Sequence, residues 1–95
     1  SKTEKTNARG VQIDLLIDRN DGVINLCEMK YAQEEYVIDK AEDERLRNRL
    51  STFVRESGTK KAVFTTMITT YGLKKGAYAD DIPCEVTMDD LFRDK

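Results

Sequence analysis

The sequence predicts one small α/β domain with a mixed sheet and the element order β-β-α-β-(β)-α. Three observations predict it. Two segments with period-2 apolar spacing flank an Asp-Gly turn. One longer segment repeats its apolar residues at helical spacing, and a β-branched run follows it. A length of 95 residues bounds the chain to a single domain, and one this short buries a modest core with little stability in reserve.

Residues 1–9 (Ser1 to Arg9) are polar and carry no apolar periodicity, so they are expected to be a disordered or artificially added lead-in to a domain spanning residues 10–95. Ser1 is not a natural start, and the chain is expected to be the C-terminal piece of a longer protein. Val11 to Asp18 alternates: Val11, Ile13, Leu15 and Ile17 share one face, Gln12, Asp14, Leu16 and Asp18 the other. Asn20-Asp21-Gly22 is a hairpin signal, and Val23 to Tyr31 reads as the second strand, antiparallel to the first. Tyr36-Val37-Ile38 is a short extended piece in the connection that follows. Asp39 is placed to cap a helix running to Glu56, with Glu42 three residues on as in a capping box. Ala41, Leu46, Leu50, Phe53 and Val54 form its apolar stripe, and Ser57-Gly58 ends it. Ala62 to Thr70 reads as a buried strand. Ile82 to Val86 reads as an edge strand because Pro83 cannot donate to a ladder. Thr87 caps a last helical turn, Met88 to Phe92. Leu46, Leu50, Phe53, Val63, Phe64, Met67 and Ile68 are expected in the core.

Composition excludes several chemistries. The chain has no histidine, so His-based triads, His-ligated zinc and His general bases are out; carboxylates, lysine, tyrosine, threonine and thiols remain. No apolar run approaches the roughly 20 residues that span a bilayer, so no membrane partner is expected. Cys27 and Cys84 do not make a disulfide framework; two reduced thiols in a cytoplasmic protein is the reading that fits. The net charge of −2 hides a basic middle: residues 40–75 hold nine basic and four acidic side chains, between acidic flanks. Such a middle suits local contact with phosphates, and it equally suits a solvated helix face.

One constellation carries chemistry. Asp14 lies mid-strand, and Glu28 and Lys30, two apart on the next strand, share a side. A tight turn joins the strands, so three ionisable groups converge. Two neighbouring carboxylates repel unless a cation joins them. Mg²⁺ or Mn²⁺ prefers carboxylate, carbonyl and water oxygens, and the Met29 carbonyl between Glu28 and Lys30 is a candidate third ligand. Lys30 would then hold or help deprotonate an attacking water, or neutralise charge on a phosphoryl group. The bland reading of the same residues is a cross-strand ion pair on a solvated sheet face, contributing roughly 0.2–1 kcal/mol. Gln12, Arg45, Arg49, Lys60 and Lys61 are candidate contacts to a nucleic-acid backbone, with Lys74 and Lys75 on a glycine-bounded loop of similar character. Ordinary solubilising charges, such as the Asp39 to Asp43 acids paired with Arg47, account for any single one of them as well. Tyr31 and Tyr36 either stack on bases or pack over a strand end.

Asp14, then thirteen residues, then Glu28-x-Lys30, on consecutive strands before a helix and a strand, resembles the PD-(D/E)XK nuclease superfamily. The wording G-V-Q-I-D-L-L-I-D-R and I-N-L-C-E-M-K-Y is similar to the nuclease-like domain at the C-terminus of certain bacterial and archaeal AAA+ ATPases. The resemblance spans roughly residues 10 to 92. It implies a truncated restriction-endonuclease-like core, with Asp14 and Glu28 as metal-binding acids and Lys30 as the catalytic lysine. It also implies a metal-dependent phosphodiesterase acting on nucleic acid, DNA before RNA, with ATPase domains in cis. The alternative is an inactive nuclease-fold module that binds nucleic acid or protein. Ile13 stands where the family pattern has proline. The family also carries a helix and a strand before the Asp strand, the helix often supplying another acid. A sheet lacking that strand would leave an edge open to pairing with a second copy, a homodimer.

Overall fold

In a computed structural model of the chain, residues 2–8 and 11–91 are described, with side chains described from 14 to 90. Five strands form one mixed sheet in the order of the sequence: β1 (Lys2–Ala8), β2 (Val11–Asp18), β3 (Val23–Lys30), β4 (Ala62–Thr69) and β5 (Cys84–Thr87). β1, β2 and β3 pair antiparallel; β4 pairs parallel to β3, and β5 parallel to β4. The change to parallel pairing follows from the connection. The helix α1 (Lys40–Ser57) carries the chain back from the end of β3 to the start of β4. A single 3₁₀ turn (Ala79–Asp81) precedes β5, and a short helix, α2 (Met88–Leu91), follows it. Among the described residues, no helix is long and apolar enough to cross a membrane.

The local signals explain most of these boundaries. Gly22 carries the positive φ, 81°, that closes the β2–β3 turn, where the Arg19 N–H donates to the Val23 carbonyl at 2.9 Å. Asp39 caps α1, its Oδ1 accepting the Glu42 N–H at 2.9 Å, and Gly58 ends the helix at φ 65°. The reciprocal arm of the expected capping box is not made there, because the Glu42 side chain turns to other partners. It is made at α2, where Thr87 Oγ1 accepts from the Asp90 N–H and Asp90 Oδ2 from the Thr87 N–H, at 3.2 and 3.3 Å. Tyr36 makes the short extended pairing anticipated for its segment, a parallel bridge to Leu73.

Three expectations need correction. Lys2–Ala8, expected to be disordered, forms β1 and covers the β2 edge that the sequence leaves open. Ladder pairing needs only backbone N–H and C=O groups, so polarity was a poor guide there. The buried face of α1 is Asp43, Leu46, Arg49 and Phe53; Ala41 is exposed and Val54 is 41% exposed. The stripe is rotated because Arg49 takes an inward seat. Phe64 is 38% exposed, lying before the stretch of β4 that β5 pairs with.

The core has two parts. Leu16, Ile24 and Leu26 pack under Phe53 of α1, with Leu50 and Val63 at the margin. Ile38, Leu46, Met67 and Leu73 make the second cluster. α1 therefore covers the sheet face that holds Leu16, Leu26 and Glu28, and the charged residues at the end of β3 face the helix. Cys27 and Cys84 are both free. Each is in register with Thr66 from opposite sides, so two strand spacings, about 9.6 Å, separate them, beyond the ~7 Å reach of a disulfide.

Candidate active site

β2 and β3 run together only as far as the Leu15–Cys27 pair. On the β1 side, Glu4 pairs with Leu16 and Thr6 with Ile13, so one residue of β1 opposes two of β2, Asp14 and Leu15. This is a β-bulge, a device that bends a strand and frees a position from its ladder. Beyond it, the Met29 N–H donates to Asp14 Oδ2 at 3.0 Å instead of to a strand carbonyl. A carboxylate thus stands in place of the next backbone acceptor. The β2–β3 register, one step on from Leu15–Cys27, leads to Asp14 and Glu28, as strand parity expected, and the Asp14 carboxylate meets the peptide joining Glu28 to Met29.

Glu28 is the hub. It is 6% exposed, and both of its oxygens are occupied. Oε1 accepts from Arg49 Nη1 at 2.8 Å. Oε2 accepts from Arg45 Nη2 at 2.7 Å and lies 3.2 Å from Lys30 Nζ. Glu42 extends the network: its Oε2 lies 3.2 Å from Arg45 and 3.5 Å from Lys30, and its Oε1 accepts the Tyr36 hydroxyl at 2.5 Å. The Lys30 ammonium stands 5.8 Å from the Tyr36 ring centroid, within cation–π range. A buried charge must be paired, and Glu28 is paired three times.

The protonation equilibria follow from this. Burial pushes Glu28 upward, but the hydrogen bonds and charges of Arg45, Lys30 and Arg49 outweigh it and hold the carboxyl below its ordinary value. Burial lowers Lys30, yet its bond to Glu28 and the charges of Glu28 and Glu42 leave it raised. Lys30 is therefore an ammonium at neutral pH, suited to stabilising negative charge and unsuited to taking a proton. Tyr36 is pushed up to about 12 by burial and its bond to Glu42. Burial raises Cys27 to about 11, so the thiol beneath the site is inert.

Of the site residues expected from sequence, Asp14 bonds the Met29 N–H and Glu28 lies 3.2 Å from Lys30. The nucleic-acid candidates do not behave alike. Arg45 joins the site with its side chain 48% exposed. Arg49 does not reach solvent: its side chain is 5% exposed, it bonds Glu28 and the Leu26 carbonyl, and its Nε has no partner. It is a structural counter-ion. Lys60 and Lys61 lie at the other end of β4. Glu28 pairs with Met67, six residues beyond Lys61, a separation of about 20 Å along the strand; Lys61 pairs with Asp18 at 2.6 Å. Gln12 lies on β2 opposite Asn7, and its side chain is outside the described residues. Arg47 pairs with Asp43 and Asp81, each at 3.0 Å, as solubilising charges do.

Sequence reasoning missed Glu42 as a neighbour of Lys30, and gave Tyr36 as a base-stacking or packing residue without its bond to Glu42. Glu42 read as a cap residue, and nothing in its spacing signals that its carboxylate reaches Lys30. Among the described residues, no group of three or more His, Cys, Asp or Glu side chains is placed to hold a metal ion. Carboxylate and carbonyl oxygens are the hard donors that suit Mg²⁺, while both Glu28 oxygens are bonded to or paired with Arg49, Arg45 and Lys30. Comparison with family descriptions, with curated proteins and with solved structures found no match.

Proposed function

We propose that this domain is a PD-(D/E)XK-type phosphodiesterase dependent on Mg²⁺ or Mn²⁺, acting on nucleic acid, DNA before RNA, and attached to an AAA+ ATPase in the cytoplasm. The observation that carries the reading is the bulge in β2. There the Asp14 carboxylate accepts the Met29 N–H at 3.0 Å, one residue along β3 from Glu28, whose Oε2 lies 3.2 Å from Lys30 Nζ. β1 adds support, since it stands where the family has a strand before the Asp strand.

Asp14, Glu28 and the Met29 carbonyl would hold the metal, which would supply an acidified water and a Lewis acid for a phosphoryl oxygen. Lys30, kept protonated by Glu28 and Glu42, donates to the non-bridging oxygens where negative charge develops. Arg49 fixes Glu28 Oε1 from below, so the carboxylate presents Oε2 outward. Tyr36 holds Glu42, and Glu42 in turn holds Lys30 in place.

A second reading is a nuclease-fold module that binds nucleic acid or a protein partner without cleaving. One observation favours it: Lys30, Arg45 and Arg49 balance Asp14, Glu28 and Glu42, three cations against three carboxylates. The site has no surplus of negative charge to draw in a divalent ion. Nicking of supercoiled plasmid in Mg²⁺ or Mn²⁺, with a single-stranded RNA in parallel, separates the two. Cleavage by the wild type and its loss in Lys30→Ala and Glu28→Gln is the expected result. Absence of cleavage of either polymer, with DNA still bound, would leave the second reading in possession.

A further inference from the structure

Arg45 and Arg49 both hold Glu28, but on different terms. Arg49 is sealed beneath the helix with its side chain 5% exposed. Arg45 lies over the site from the outer side, 48% exposed, and its Nη2 bridges Glu28 Oε2 and Glu42 Oε2, at 2.7 and 3.2 Å, beside Lys30 Nζ, which spans the same two oxygens at 3.2 and 3.5 Å. It therefore shares with Lys30 the Glu28 oxygen that Arg49 does not hold. Arg45 is half exposed while Glu28 is buried, and a long arginine side chain needs only a rotamer change to move into solvent.

Resting on the proposed metal site, we propose that Arg45 is a displaceable counter-ion that closes the site. It neutralises Glu28 and Glu42 in the metal-free protein. When a divalent ion takes Glu28 Oε2, the guanidinium is released toward solvent, where it is free to bind a phosphate of the substrate. Metal and phosphodiester then assist each other, because each binds what the other's arrival sets free. The fork geometry of a guanidinium matches a phosphate bidentately.

The test compares wild type with Arg45→Met, which keeps an unbranched stem on the exposed face of α1, and with Arg45→Lys. Circular dichroism of each metal-free protein checks that it is folded. Mn²⁺ binding is measured by isothermal titration without nucleic acid. A unit charge removed from about 4 Å at an effective dielectric near 20 is a large term, so Arg45→Met should bind Mn²⁺ at least about tenfold more tightly than wild type, with Arg45→Lys between them. Anisotropy of a fluorescein-labelled duplex, measured with and without Ca²⁺, reads the second half. Ca²⁺ should tighten wild-type binding by a larger factor than it tightens Arg45→Met. Equal Mn²⁺ affinity in wild type and Arg45→Met, or an equal Ca²⁺ gain for DNA, overturns the displaceable-arm inference alone. No Mn²⁺ binding by either protein at millimolar concentration overturns the metal site and this inference with it.

Discussion

Replacing Arg49 with methionine removes the one cation that cannot leave Glu28. The pair is buried on both sides, with side-chain exposures of 5% and 8% and a 2.8 Å contact. Removing one partner of such a pair costs about 3–5 kcal/mol, because the other is left buried and charged. Two features reduce this. Arg45 and Lys30 still hold Oε2, and the unpartnered Arg49 Nε, itself worth about 1–3 kcal/mol of lost solvation, disappears with the side chain. The expected net loss is about 2–3 kcal/mol, or roughly 8–24 °C of Tm at about 4–8 °C per kcal/mol for a chain of this size. Thermal unfolding followed by circular dichroism at pH 7 reads it. Glu28→Gln combined with Arg49→Met should recover part of the loss, since the buried charge is gone. A single variant within about 0.5 kcal/mol of wild type, or a double variant no more stable than the single, would refute the view of Arg49 as the structural anchor of Glu28.

Three further outcomes follow from the same contacts. Glu28 is held below its ordinary value, so its stabilisation is complete above the usual carboxylate value near 4.3 and is lost as pH falls through the lower folded value; acid unfolding monitored by fluorescence or circular dichroism should be steeper below about pH 4 in wild type than in Glu28→Gln. Asp39→Ala removes the acceptor for the Glu42 N–H and should cost about 0.5–2 kcal/mol in urea denaturation. Cys27, fully buried and raised to about 11, should resist a thiol reagent in the folded protein, whereas the partly buried Cys84 should react first, as peptide mapping would show.

The elements that the sequence made legible are those with strong local chemistry. The Asp-Gly turn, the Asp39 cap and the Gly58 stop bound β2, β3 and α1 closely, and the β-branched run located β4. What it could not reveal depends on partners distant in the chain. β1 has no apolar pattern to announce it and exists through its ladder with β2. The seat of Arg49 is decided by Glu28, twenty-one residues earlier, so helical periodicity alone counted it among the solvent-facing charges. Parity pointed Asp14 toward Glu28, in line with the β2–β3 register, but the bond of its carboxylate to the Met29 N–H was not legible. The pairing of Glu28 with Lys30 was readable from their spacing on one strand, while the bonds of Arg45 and Arg49 to Glu28 and the Tyr36–Glu42 pair beside Lys30 were not.

The central claim is that the carboxylate freed by the β2 bulge and the Glu28 carboxylate hold one divalent ion between them. Isothermal titration of Mn²⁺ into wild type and Asp14→Asn tests it most directly. The account predicts saturable binding in wild type and affinity at least about tenfold weaker in Asp14→Asn, with the fold retained. No saturable binding by wild type at millimolar Mn²⁺, or binding that Asp14→Asn leaves unchanged, would contradict it.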